Sequence, residues 1–342
     1  MAARQGPGQG SVRRTLVVMG ASAGGVETLR RVVADLPEDL PAALCVVLHI
    51  APGAPSALAA ILGRAGRLPC RAVADHERLH PGEILVAPPD RHVVVEDGHV
   101  ALSAGPRENG HRPAIDTLFR TAAEALGGGV IGVVLSGTRD DGTAGLALIK
   151  SRGGLALVQN PDEALYGGMP ANAIAHVAVD AVVTSDQIAN TIVRMVRGDW
   201  DADAPRPERL ATSGLSGEPV TSTCPECGGV LSEQREAGLI QWRCKVGHRY
   251  SPESLADAQA QGVEGAIWAA VRALEDRSLL LERMAEQSDS RGLDYATRAF
   301  RSRAGQAREQ AKLVRETLGE AIGGTLRPVG DELSGEHEQP AS

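Results

Sequence analysis

Short apolar runs and helical stripes alternate through the first two hundred positions. Thr15–Met19 is apolar and ends at Gly20, and helical spacing of apolar residues follows from Val26 to Leu36. Ala43–Leu48 is a second apolar run, ended by His49. Pro52-Gly53 then breaks the chain before a helical stretch opens at Ser56–Leu62. Between Arg71 and Leu102 the pattern shortens. Ile84–Ala87 and His92–Val95 flank Pro88-Pro89-Asp90, and Asp97-Gly98 turns the chain into Val100–Leu102. These segments predict a small antiparallel excursion. Helical period returns at Ala114–Ala125, with Pro113 suited to the first turn. Val130–Leu135, Leu155–Val158 and Val177–Val183 read as strands, with helices at Ala144–Ser151 and Asp186–Val196. Strands alternating with helices predict right-handed βαβ crossovers, hence a three-layer αβα domain on a mainly parallel sheet over residues 15–197. Residues 1–14 read as a flexible N-terminus.

The pattern changes after Arg197. Residues 198–220 hold Asp, Pro, Ser and Gly without any period and read as a linker. A compact Cys/His unit occupies 221–255. Beyond it Ile267, Val271, Leu274, Ser278, Leu281 and Ala285 form one stripe, Ser288–Gly292 interrupts it, and Ala296, Phe300, Ala304, Ala307, Ala311, Val314 and Leu318 form another. Two such stripes predict a helical hairpin over 256–322, and 323–342 reads as a disordered tail. The stripes suit internal pairing, self-association, or docking on another coiled coil.

Composition narrows the classes. Hydrophobic residues make up 43% of the 342 and aromatics only 2%, so Ala, Val, Leu and Ile must fill a sizeable core. A formal net charge of −8 argues against nucleic-acid partners, which need a basic surface. No run reaches the roughly 18 apolar residues of a membrane span, and no signal-peptide core follows the N-terminus. Of five cysteines, three fall in the Cys/His unit, while Cys45 and Cys70 read as reduced core thiols. This usage fits a cytoplasmic protein.

Three polar motifs follow predicted strands: Gly20-Ala21-Ser22-Ala23-Gly24-Gly25, Leu48-His49, and Ser136-Gly137-Thr138-Arg139-Asp140-Asp141-Gly142. Sites in open parallel sheets gather beyond the carboxyl ends of the strands, so these loops can bring Ser22, His49 and an aspartate together. The chemistry needs those types. A serine hydroxyl is a weak nucleophile alone, an imidazole takes its proton, and a carboxylate orients the imidazole and stabilises its cation. Gly20–Gly24 satisfies G-x-S-x-G, yet the order Ser…His…Asp is not that of the α/β-hydrolases. Blander roles exist for each residue: Gly-Ser turns cap helices, a strand-end histidine can be structural, and aspartates before glycine serve turns. A nucleotide-binding loop is the competing reading of Gly20–Gly25. Ser22 occupies the place of its middle glycine, however, and the second strand ends at His49 rather than at an acidic residue.

Residues 15–186 resemble the catalytic domain of CheB, the protein-glutamate methylesterase of bacterial chemotaxis. The matching stretches are Val18–Gly25, Leu48-His49, Ala87-Pro88-Pro89-Asp90-Arg91-His92, His111-Arg112-Pro113-Ala114-Ile115-Asp116, Leu135-Ser136-Gly137 with Asp141-Gly142, and Gly168-Met169-Pro170, in the family's order. The resemblance implies that Ser22 attacks a glutamate γ-methyl ester on a methylated chemoreceptor, with His49 as base and then acid. It selects Asp141, which precedes the glycine, and leaves Asp140 as a solvated loop charge. It places Thr138 where the family has a methionine whose backbone N–H holds the oxyanion, and Ala23 where it has a threonine. Arg112-Pro113 and Asp116 are expected to organise a helix start near the site. Family members also deamidate receptor glutamines. Many carry an N-terminal receiver domain, for which the first strand near Thr15 leaves no room, so control is expected to be absent in cis or to come from the C-terminal region. The rival within this family is a catalytically weak adaptor, kept open by Thr138 and Ala23.

Catalysis of this kind needs no cofactor. Cys224-Pro225-Glu226-Cys227 and Cys244-Lys245-Val246-Gly247-His248 present C-x₂-C and C-x₃-H pairs, which predict a closed tetrahedral zinc site on Cys224, Cys227, Cys244 and His248. Four protein ligands saturate the metal, so the expected role is structural. Zinc would fold a ribbon-like unit of about 25 residues, too small for a core of its own. A reduced Cys-x-x-Cys without metal is the alternative.

Overall fold

The computed structural model describes residues 15–50, 56–200 and 222–325, with side chains to 316. It divides into two compact units, Met1–Ala256 and Asp257–Ser342. The first unit opens with β1 (Leu16–Ala21), α1 (Gly25–Ala34), β2 (Ala43–Leu48) and α2 (Leu58–Ala65). Five short strands follow: β3 (Cys70–Ala72), β4 (Glu77–Arg78), β5 (Ile84–Val86), β6 (His92–Glu96) and β7 (His99–Ser103). Then come α3 (Ile115–Leu126), β8 (Val130–Val134), α4 (Thr143–Ser151) and β9 (Leu155–Gln159). The domain closes with α5 (Gly168–His176), β10 (Ala181–Val183) and α6 (Ile188–Arg197).

Seven strands form one parallel sheet in the order β10-β9-β8-β1-β2-β5-β3. Period-two alternation sends successive β1 side chains to opposite layers. Leu16 and Val18 join a core with Ile115, Phe119, Leu146 and Met169 of α3, α4 and α5. Val17, Met19 and Ala21 join the other, with Leu29 and Val32 of α1, Leu62 of α2 and Ile192 of α6. Both faces are covered, which is why these strands read as unbroken apolar runs.

The antiparallel excursion is present as β4-β7-β6, with Val93, Val95 and Val100 in the α3 layer. Ile84–Ala87, expected within it, is instead β5 of the parallel sheet, pairing Ile84 with both Leu44 and Cys70. All three β5 residues are buried, the signature of a two-sided strand rather than an alternating one. Pro113 is not in the first helical turn: it follows a cis bond from Arg112, and α3 begins at Ile115.

The remainder of this unit is a small three-stranded sheet, β11 (Leu231–Glu236), β12 (Leu239–Cys244) and β13 (Arg249–Tyr250). Two long helices follow, α7 (Pro252–Asp289) and α8 (Asp294–Thr325), giving the expected hairpin with an earlier start and a later end. In the second unit the predicted stripes face inward: Val271, Ser278, Leu281, Ala285, Ala304, Ala307 and Ala311 are buried. Ser278 Oγ donates to Ala304 O (3.0 Å), and ion pairs join Glu282 to Arg308, Glu275 to Arg315 and Asp289 to Arg301, the pattern of antiparallel helices. The expected flexible N-terminus (1–14), nearly all of the expected linker (201–220) and the tail beyond 325 lie outside the described residues.

Candidate active site

Three adjacent strands, β8, β1 and β2, deliver the site from their carboxyl ends. Ser22 follows β1, His49 follows β2, and the loop after β8 carries Ser136–Gly142. Gly24 takes a left-handed conformation (φ 73°) so that the chain can turn from Ser22 into α1, and a methyl there would stand 2.9 Å from Ser136 Oγ. Ser22 N–H donates to Ser136 O (2.9 Å), and Ser136 Oγ donates to Ala23 O (2.8 Å), which locks the two loops together. Gly137 lies against the serine. A methyl on it would meet Ser22 Cβ at 2.9 Å and collide with Met169 Sδ. Thr138 follows directly, and Arg139 turns the chain with a left-handed φ of 64°.

The predicted residues converge. Ser22 Oγ lies 3.1 Å from His49 Nδ1, and His49 Nε2 lies 2.7 Å from Asp141 Oδ2. Asp141 can only accept, so the network assigns the imidazole proton to Nε2 and leaves the Nδ1 lone pair facing the serine hydroxyl. This is the tautomer of a general base. The Asp141 carboxylate is buried and fully engaged. Its Oδ2 also accepts Ile115 N–H (2.8 Å), and its Oδ1 accepts Asn109 Nδ2 (2.7 Å) and Asp116 N–H (3.2 Å). The N-terminus of α3 thus points two backbone donors and the positive end of its dipole at the charge. Burial alone would raise this carboxyl. The His49 hydrogen bond and charge, His111 and the Ile115 N–H outweigh it and hold it far below the usual carboxylate range.

A second buried carboxyl, Asp116, accepts Gly145 N–H (2.7 Å) and the other Asn109 Nδ2 proton (2.8 Å). It ties α3 to α4, as expected of an organiser rather than a reacting group. Burial, then the Asp141 charge, pushes this carboxyl well above its ordinary value, in the direction opposite to Asp141. Arg112 holds the adjoining loop through Asp90 Oδ1 (2.7 Å) and the carbonyls of Ala104 and Gly105.

Sequence reasoning misses the roles of three residues. His111, legible only as part of a matching motif, stacks on His49 with ring centroids 3.6 Å apart and planes 10° from parallel. Burial, then the neighbouring His49, lowers its pKa to about 3, so it is a neutral plate against which the working imidazole rests. Asn109 is legible only as half of an Asn-Gly turn. Asp140 is the clearest correction. The sequence reads it as solvated, yet it is buried, accepting Ser251 Oγ (2.6 Å), Ser254 Oγ (2.7 Å) and Glu253 N–H (3.3 Å). Its partners lie over a hundred residues away, beyond the reach of local pattern.

The Cys/His unit brings its four predicted ligands together, with ligand atoms all within 4.8 Å of one another. Cys227 and Cys244 sulfurs are 3.6 Å apart, and His248 Nδ1 faces Cys244 (3.4 Å) and Cys224 (3.6 Å). A tetrahedral zinc with Zn–S near 2.3 Å has sulfur–sulfur edges of about 3.8 Å, so the set fits that ion. His248 Nε2 turns outward to Glu226 Oε2 (3.4 Å), where a carboxylate would orient the imidazole of a metal-bound histidine.

A nucleophile, a base in the correct tautomer and a buried carboxylate at the edge of a parallel α/β sheet define a serine-hydrolase type of site. The CheB methylesterase family matches residues 17–192, and the chain belongs to that family. It is 41% identical over 187 residues to a protein-glutamate methylesterase/protein-glutamine glutaminase of Anaeromyxobacter dehalogenans, covering 54% of this chain and 55% of that protein. A putative enzyme of the same name from Leptospira interrogans is 36% identical over 180 residues, 52% of this chain and 93% of that one. The chain therefore spans about half the length of relatives such as the first. Among solved structures, the Thermotoga maritima CheB methylesterase catalytic domain aligns with a TM-score of 0.52 at 31% identity, covering 54% of this chain and 100% of that domain.

Proposed function

We propose that this chain is a protein-glutamate methylesterase that hydrolyses glutamate γ-methyl esters on methylated chemoreceptors or receptor-like signalling proteins. The observation that carries the reading is the continuous relay Ser22 Oγ–His49–Asp141, at 3.1 and 2.7 Å, in the tautomer that leaves a base facing the nucleophile. As the Oγ–carbonyl carbon bond forms, the hydroxyl proton passes to His49 Nδ1, and Asp141 stabilises the imidazolium through Nε2. Collapse breaks the C–OCH₃ bond, and His49 returns the proton to release methanol. Water then gives a proton to His49 as its oxygen bonds to the acyl carbon; the C–Oγ bond breaks, His49 returns the proton to Ser22 Oγ, and the glutamate carboxyl leaves. The Thr138 backbone N–H, one residue beyond the glycine that touches Ser22, is the proposed oxyanion donor, a role that a changed side chain leaves intact. The same acyl chemistry with ammonia leaving would deamidate glutamine, and the relatives' names include both activities.

Zinc held by Cys224, Cys227, Cys244 and His248 has a structural role in this proposal, supported by the fit of the ligand cluster. A cytoplasmic location accords with the cysteine usage, and no described helix is long and apolar enough to cross a membrane. Leu279, Leu280, Met284 and Leu313, exposed on the hairpin, support self-association through the C-terminal helices. The test is methanol release from methylated chemoreceptor membranes by the wild type and Ser22→Ala. Release abolished by the substitution supports the reading; equal rates, or no release by either, overturn it and favour the adaptor.

A further inference from the structure

The chain leaving the Cys/His unit runs directly into the wall of the triad. Within three residues of His248, Arg249 O accepts Asn109 N–H (2.8 Å), and Ser251 N–H donates to Asn109 Oδ1 (2.8 Å). The Ser251 hydroxyl lies 3.1 Å from the same Oδ1 and closer, at 2.6 Å, to Asp140 Oδ1, which takes its proton and fixes the serine in place. Asn109 spends both its amide protons on the carboxyls of Asp141 and Asp116. The orientation of that amide is therefore set from behind by Ser251. A backbone donor on Oδ1 forbids the flipped rotamer, which would turn the Asn109 NH₂ toward it. The neighbouring Asp140 is held by Ser251, Glu253 and Ser254 of the same segment. Gly247 also abuts Pro106, where a methyl would stand 3.1 Å from the ring. Asn109, Asp140, Ser251 and Ser254 are all buried, so water does not substitute for these contacts without opening the wall.

We propose that the Cys/His unit is an activating clamp on the esterase: Ser251 is a positioning residue that holds Asp141 through Asn109, so loading of the metal site sets the turnover of the triad. The proposal rests on the hydrolase reading and on metal binding at the four ligands. With the metal bound, Cys244 and His248 anchor β13, which Ser251 directly follows. Without it, a unit too small for a core of its own loosens, Asn109 loses its backing, and Asp141 no longer fixes the His49 ring.

The experiment uses the full chain as zinc-loaded, chelator-stripped and zinc-restored protein, with Ser251→Ala and Ser251→Thr. Metal content is read with a chromogenic chelator. Turnover is measured on methylated receptor and on p-nitrophenyl acetate, an ester too small to need recruitment. The downfield proton of His49 Nε2–H, hydrogen-bonded to Asp141, is followed by NMR. Stripping is expected to remove one zinc, lower kcat on both esters by at least about tenfold with little change in KM, and broaden the downfield proton. Restored zinc should recover all three. Ser251→Ala, which frees the serine from Asp140, should lower kcat with zinc still bound, and Ser251→Thr should keep it. Stripped protein that keeps its small-ester kcat and its downfield proton overturns the clamp, and a loss confined to receptor would overturn it in favour of a recruitment module. Zinc-loaded wild type inactive on both esters would sink the hydrolase reading instead, with the NMR signal still deciding whether the unit positions Asp141.

Discussion

Replacing Asp141 by Asn exchanges one heavy atom, and the surrounding hydrogen bonds determine the outcome. All four partners of the carboxylate are donors: His49 Nε2–H and Ile115 N–H at Oδ2, Asn109 Nδ2–H and Asp116 N–H at Oδ1. An asparagine must place its NH₂ against one of these pairs. Toward Oδ1, it confronts Asn109 and a buried backbone N–H. Rotating Asn109 relieves that clash only by turning its own NH₂ on Ser251 N–H. Toward Oδ2, it confronts Ile115 N–H and makes His49 accept at Nε2, which moves the ring proton to Nδ1 and removes the base from Ser22. Either choice strands at least one buried donor, so a stability loss of at least about 1–3 kcal/mol is expected. The wrong tautomer and the lost charge should lower kcat by about 10⁴. Urea unfolding reads the first and methanol release from methylated receptor the second. An Asp141→Asn enzyme within tenfold of wild-type kcat would refute the assigned roles of both Asp141 and the tautomer.

Other consequences follow from the same structure. His111 keeps a folded-state pKa of about 3 against 6.5 unfolded, so its contribution to stability is complete above pH 6.5 and is lost progressively as pH falls toward 3. Urea midpoints of His111→Gln should accordingly decline less between pH 7 and 4 than those of wild type; parallel declines would show that His111 is not held neutral. Gly137→Ala should abolish methanol release, because its methyl collides with Met169 and crowds Ser22, and retained activity would contradict the loop placement. Lys150 forms a partly buried pair with Asp180 (2.6 Å), so Lys150→Met should destabilise by about 3 kcal/mol in a urea titration, and a neutral result would show that Asp180 needs no counter-charge.

The parallel sheet is legible in the sequence because its strands are buried on both faces and end in chemically loaded turns. Strand–helix alternation puts Ser22, His49 and an aspartate just beyond strand ends on one edge, and the family resemblance chooses between the two aspartates. β5 is misread because three apolar residues carry no period that separates a central strand from a hairpin arm. Asp140 is misread because its environment is made by Ser251–Ser254. A charge in a Gly-rich loop looks solvated until the distant chain that covers it is placed. Asn109 and His111 are hidden for the same reason, since their work is done across the site and leaves no mark on local spacing. The cluster of Cys224, Cys227, Cys244 and His248, by contrast, is legible because each pair lies within one tight turn.

The central claim is that Ser22 carries the acyl group, and intact-mass analysis after rapid acid quench tests it most directly. Mixed with a peptide bearing a glutamate γ-methyl ester, the wild type should acquire the mass of the peptide less methanol, with the adduct mapping to Ser22 and absent from Ser22→Ala. Methanol release without any covalent adduct, or an adduct that persists in Ser22→Ala, would contradict the account.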